Sequence, residues 1–80
     1  MNELNKIDEL LVKELLEALN KKEMTPSLLA EKLGRNLSIE TTLRFMIFER
    51  WVRQDQQTKM VSITASGQRQ LQKLRQNPRL

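Results

Sequence analysis

The side chains that most often do chemistry are scarce in this chain. It has no histidine and no cysteine. The usual base near neutral pH, the thiol nucleophile, the disulfide and the commonest zinc ligands are therefore all missing. The adjacent carboxylates Asp8 and Glu9 fall on the polar face of a helical pattern. No serine or lysine stands in a pattern that supplies an activating partner, and no glycine-rich run is present to cradle a phosphate. The expectation is a protein that binds rather than catalyses, with no cofactor and no metal.

Charge says more. The net charge is +4 over 80 residues, and it is unevenly spread. Through Glu31 there are four basic residues against seven acidic ones, a balance of −3. From Lys32 onward ten basic residues face only Glu40, Glu49 and Asp55, a balance of +7. One half is suited to a polyanion and the other is not. Eighty residues make a single domain with a small core, 1–80, with a disordered tail expected at about 77–80. No secretory leader is read at the amino terminus, and no apolar run approaches the ~20 residues of a membrane helix. A cytoplasmic protein without membrane contact is the expectation.

The elements that would position these charges follow from periodicity and caps. From Glu3 to Asn20, Leu4, Ile7, Leu11, Leu15 and Ala18 recur at helical spacing, with Val12, Leu16 and Leu19 beside them. The arc covers about half of a helical wheel, broader than one small core requires, so a partner subunit is expected to share it. Thr25-Pro26 reads as a cap and first helical residue, Met24 and Leu29 as a hydrophobic staple, and Gly34 as the helix stop. After a turn at Arg35-Asn36-Leu37, Ser38 is expected to cap a third helix, with Glu40 in its first turn. Its core face is expected to be Ile39, Leu43, Met46 and Ile47. Two short strands, Trp51–Gln54 and Lys59–Thr64, flank a polar tip and read as a hairpin. Thr64 then caps a last helix carrying Leu71 and Leu74, which Asn77-Pro78 ends.

The order is helix, short helix, helix, hairpin, helix, and three stretches of residues resemble the winged helix-turn-helix family. "MTPSLLAEKLG" (24–34) is similar to the second helix of winged-helix regulators. "LRFMIFERWVRQ" (43–54) has the layout of a recognition helix running into the wing. "VSITASGQRQL" (61–71) resembles the strand and helix that close the wing in the MarR and PadR groups, where Leu-Thr-x-x-Gly recurs. The resemblance runs from about Ile7 to Leu74. It implies a mainly α fold with a small β-hairpin: a three-helix core, a two-stranded wing and a carboxy-terminal helix. Two positions depart from the family. Arg50 stands where glycine usually leaves the recognition helix, and Phe45, Ile47 and Phe48 stand where charged residues are common.

Winged helices place the third helix in the major groove and the wing on the backbone. Carried over position by position, Ser38, Thr41 and Arg44 become candidate base contacts, with Arg35 and Asn36 reaching phosphates from the turn. Arg53, Gln56, Gln57, Thr58 and Lys59 become a cationic wing, with Asp55 as its only acidic neighbour, and Ser27 a phosphate donor at the second helix start. The resemblance implies a small sequence-specific regulator of transcription that binds double-stranded DNA as a homodimer. Val12, Leu16, Leu19, Leu71 and Leu74 are the expected shared margin. The alternative is a winged helix serving as a protein-interaction module or assembly subunit. Phe45 and Phe48 admit three readings: packing under the wing or last helix, a protein-binding patch, or contact with thymine methyls.

Overall fold

The computed structural model describes residues 9–34 and 36–76, and the backbone alone of 36–38. In the described residues the elements run α1 (Glu9–Lys21), α2 (Pro26–Leu33), α3 (Asn36–Phe48), β1 (Val52–Gln54), β2 (Val61–Ile63) and α4 (Ala65–Arg75). The protein is thus mainly helical with a two-stranded antiparallel hairpin, an order compatible with a winged helix. The expected helix start at Glu3 and the tail at 77–80 lie outside the described residues.

Helix α1 is the centre of the core. Leu11, Val12, Leu15, Leu16 and Leu19 are all buried, none more than 3% exposed. The helix packs against α4, β2 and α3. That explains the broad apolar arc without a second copy. Leu71 and Leu74 on α4 are buried as well. Val12, Leu16, Leu19, Leu71 and Leu74 are therefore core residues of one chain, and the expectation of a dimer margin there is corrected. The reason is geometric: three neighbours around one helix need three strips of apolar surface, and a wheel cannot say whose neighbours they are. Arg75 clasps α4 to α1 from outside, donating from Nη2 and Nε to the two Glu17 carboxylate oxygens at 2.7 and 3.0 Å. That bond holds the Glu17 carboxyl below its ordinary pKa.

Helix α2 starts and stops as its sequence suggests. Thr25 is extended and its hydroxyl accepts the Leu28 amide at 3.2 Å, with Pro26 as the first helical residue. Met24 and Leu29 are both buried. Met24 also exchanges two backbone hydrogen bonds with Val61, at 3.1 and 2.7 Å, so the residue before the cap docks onto the edge of β2. Gly34 takes φ 69° and returns its amide to Ala30. The reversal is so tight that α3 begins at Asn36. Ser38 therefore lies inside the first turn instead of capping it, and Glu40 falls beyond that turn, a correction to the expected boundary.

On α3 the buried set is Ile39, Thr42, Leu43 and Met46. The stripe is centred between Thr42 and Leu43, which leaves Ile47 on its margin and 37% exposed, contrary to expectation. The helix ends in a Schellman motif: Trp51 N–H donates to the Met46 carbonyl and Arg50 N–H to that of Ile47, both at 2.9 Å. Arg50 occupies the left-handed position at φ 67°, where glycine is at ease and a side chain costs of the order of 1 kcal/mol.

Thr64 holds that corner in place. Its hydroxyl donates to the Arg50 carbonyl at 2.6 Å, with the Trp51 carbonyl 3.0 Å away, and accepts the Gly67 amide at 3.0 Å as the cap of α4. Its own amide donates to the Trp51 carbonyl at 3.0 Å. Gly67 is needed for space: a Cβ there would collide with the Trp51 carbonyl oxygen and stand 2.8 Å from Ile63 Cγ1. The threonine and glycine of the Thr-x-x-Gly pattern thus act on one point, the exit of α3. Two substitutions separate the roles. Gly67→Ala should cost about 2–4 kcal/mol, because the obstacle is backbone and cannot rotate away. Arg50→Gly should stabilise by about 0.5–1 kcal/mol through relief of the left-handed strain. Thermal melts of both variants check this, and an unchanged midpoint for Gly67→Ala would refute the close approach.

Candidate nucleic-acid interface

The exposed face of α3 follows from its buried one. Opposite Ile39, Leu43 and Met46 stand Thr41, Arg44 and Phe48, at helical positions i, i+3 and i+7, and all three are exposed. Glu40 and Ile47 flank them. Ser27 is exposed and lines a shallow groove between α2 and α3 together with Pro26, Ala30, Ile39 and Glu40. The candidate phosphate contact at Ser27 therefore has a carboxylate close by. Asn36 and Ser38 contribute backbone to the first turn of α3, and Arg35 lies outside the described residues.

The hairpin projects the second group of candidates. Val52 pairs with Ile63, Arg53 with Ser62 and Gln54 with Val61. Val52 and Val61 face the core while Arg53 points out. The tip is built by Asp55. One of its carboxylate oxygens accepts the amides of Gln57 at 2.7 Å and Thr58 at 3.0 Å, and its carbonyl accepts the Lys59 amide at 2.8 Å. Asp55 and Met60 close the loop with a further backbone bond of 2.9 Å. Lys59 takes the left-handed conformation, φ 65°, and its carbonyl accepts from Gln54 Nε2 at 3.1 Å. Gln56, Gln57, Thr58 and Lys59 all present exposed side chains. The hairpin tip thus displays polar side chains around a turn ordered by one aspartate.

Electrostatics temper the expectation of a strongly basic reading face. From Asn36 to Ile63 the cations Arg44, Arg50, Arg53 and Lys59 meet Glu40, Glu49 and Asp55, a surplus of one. Asp55 is not the only acid beside the hairpin, as its sequence neighbours suggest. Glu23 lines the same groove as Arg53, Asp55 and Thr58, brought there by the Met24–Val61 bridge. Part of the basic excess of the second half sits on α4, as Arg69, Lys73 and Arg75, and Arg75 is engaged by Glu17.

The two phenylalanines part company. Phe45 is half-buried against the core and meets Trp51 edge-to-face, ring centroids 5.6 Å apart. Phe48, three residues on, is 80% exposed. The packing reading holds for Phe45 and fails for Phe48, because the Schellman turn carries the chain away before anything can cover the last helical residue. The cap of α4 by Thr64 is legible in the sequence, but its bond to the Arg50 carbonyl is not, and the ordering of the tip by Asp55 is signalled only by an aspartate opening a polar turn.

Comparison of the chain with protein-family models, curated proteins and solved structures yields no match.

The two amides donating to Asp55, from Thr58 first and Gln57 second, hold its carboxyl below the ordinary value of 3.8. Order in the wing tip that depends on the carboxylate is then complete above 3.8 and lost as the pH falls through the lowered value. The amide proton shifts of Gln57 and Thr58 should stay constant from neutral pH to about that point and move together below it. Asp55→Ala should produce the acid shifts already at neutral pH. Shifts indifferent to both changes would remove Asp55 from the wing.

Proposed function

We propose that the protein is a winged-helix DNA-binding protein, a sequence-specific regulator that lays α3 in the major groove and its hairpin on the backbone. The observation that carries this reading is the exposed pairing of Thr41 and Arg44 on a helix held by α2, followed directly by an ordered polar hairpin. Arginine and threonine on such a face can read base edges, and the wing side chains can hold phosphates. The small surplus of positive charge has a quantitative consequence. Among the described residues from α3 through β2 the cations are Arg44, Arg50, Arg53 and Lys59, so phosphate contacts are few. The slope of log affinity against log salt should lie near −2 to −4 per chain.

The broad apolar arc of α1 is covered within the chain, so a homodimer on two half-sites would have to form through another surface. Fluorescence anisotropy at several salt concentrations, with random duplexes and duplexes selected from a random pool, tests the proposal. Lys59→Gln and Arg53→Gln should weaken both duplex classes by a similar factor and make the salt slope shallower by about one each. Thr41→Ala should lose ~1–3 kcal/mol on the selected duplex only. Wild type that binds neither duplex at low salt overturns the reading.

Phe48 supports a second reading, a protein-interaction module that docks through the end of α3. An 80% exposed phenylalanine beside the partly exposed Ile47 is an apolar anchor that a partner would cover. Under this reading Phe48→Ala abolishes a partner interaction and leaves duplex binding intact. In either case Phe48→Ala should leave the melting midpoint almost unchanged, and Phe45→Ala should lower stability by about 2 kcal/mol. Equal losses from both would contradict the placement of Phe48.

A further inference from the structure

A groove runs along the face of α1 that the core leaves outside, with a volume of about 560 Å³. Leu10, Lys13, Glu14, Glu17, Ala18 and Lys21 line one wall. These are positions i, i+3, i+4, i+7, i+8 and i+11 of one helix, an unbroken strip of about 17 Å at 1.5 Å per residue. The other wall comes from the end of α2 and the segment before it, as Lys32 and Leu33 with Lys22 and Met24. It shares no residue with α3 or with the hairpin.

Its chemistry is of two kinds. The floor is apolar, formed by Leu10, Ala18, Met24 and Leu33, and Leu10 is 45% exposed although it is a leucine in the middle of a charged surface. The rim is basic. Lys13, Lys21, Lys22 and Lys32 surround it, and none is in an ion pair among the described residues. Glu14 and Glu17 are the two acids of the lining, and Glu17 is shared with Arg75, so four ammonium groups outweigh the carboxylates. This local excess is the reverse of what the acidic first half of the sequence leads one to expect. Helix α1 gives the groove two lysines and two glutamates, and Lys22 and Lys32 from the facing wall tip the balance.

We infer that this groove receives an acidic amphipathic helix of a protein partner, about three turns long. A helix fits the length and the i, i+3, i+4, i+7 lining, which is the pattern by which one helix accepts another. The apolar floor takes a stripe of leucine, isoleucine or phenylalanine, and aspartates or glutamates at its edges meet the four lysines. A nucleic acid would use the lysines and gain nothing from Leu10, Ala18 and Leu33, whereas an amphipathic helix uses both. The surface lies on elements other than the proposed DNA-reading face, so the two could be occupied together.

The test is a heteronuclear NMR titration of the full chain with helical peptides of about 16 residues. Each carries an apolar stripe of leucine or phenylalanine flanked by glutamate, and a scrambled peptide of equal composition lacks the stripe. The striped peptides should shift the amides of Leu10, Lys13, Ala18, Lys21 and Leu33, and bind more weakly as salt is raised. Lys21→Glu with Lys32→Glu should lower the affinity about tenfold, as should Leu10→Ser, while each variant melts like wild type. A DNA duplex added to the same sample should leave these amides unmoved. Shifts located on α3 or Phe48, equal binding of the scrambled peptide, or no binding of any striped peptide would overturn the inference. So would a duplex that moves the groove amides in place of the peptide. The titration stands apart from the DNA-binding reading, because loss of duplex affinity leaves the peptide result unchanged.

Discussion

The fold turns on the exit of α3. There the chain must leave a helix, cross a left-handed residue and enter β1 within three positions, and Arg50 is poorly suited to the task. What holds it is supplied from fourteen residues later: the Thr64 hydroxyl on the Arg50 carbonyl, 2.6 Å away. The same hydroxyl caps α4 through the Gly67 amide. One side chain therefore joins α3, the hairpin and the last helix. Because Gly67 has no side chain, the first turn of α4 can rest directly against the Trp51 backbone. A strained turn, a cap and a close approach are paired so that each makes the others tolerable.

From that corner the rest is positioned. α4 runs back across α1, where Leu71 and Leu74 enter the core and Arg75 reaches Glu17. β2, anchored at its start by the Met24 bridge, carries the hairpin outward from the same point. The two surfaces offered for binding are by-products of this packing. Burying Ile39, Leu43 and Met46 turns Thr41, Arg44 and Phe48 outward. Burying one broad arc of α1 leaves the Leu10–Ala18 strip as a lysine-rimmed groove.

Charge bears on function differently once the chain is folded. A surplus of +7 in the second half suggests a basic reading face, yet the stretch from α3 through β2 holds a surplus of one. The remainder is partly on α4, with one arginine committed to a structural clasp. A DNA-binding reading then leans on few phosphate contacts and on the shape and polarity of the α3 face. The conspicuous exposure of Phe48 keeps a protein-docking role in view for the same helix end.

Local chemistry in the sequence was enough to place most of the elements. Thr25 and Thr64 accept amides three residues on, and Gly34 donates its own amide to a carbonyl four residues back, so these caps are legible without knowing any partner. Apolar periodicity located the buried stripe of α1 and, apart from Ile47, that of α3, and a polar run between two alternating segments located the hairpin. What local signals could not supply was anything that depends on which strip meets which neighbour. Whether the arc of α1 faced a second copy or its own α4, whether Phe45 and Phe48 shared a fate, and that Glu23 would stand beside Arg53 were decided by tertiary packing. A helical wheel fixes angles about one axis, but burial depends on how neighbouring axes cross it, and contacts between residues far apart in the chain set those crossings. Asp55 shows the boundary between the two. Its place in a turn was local and readable, while its use as the acceptor that orders the hairpin tip emerged only when the loop had closed around it.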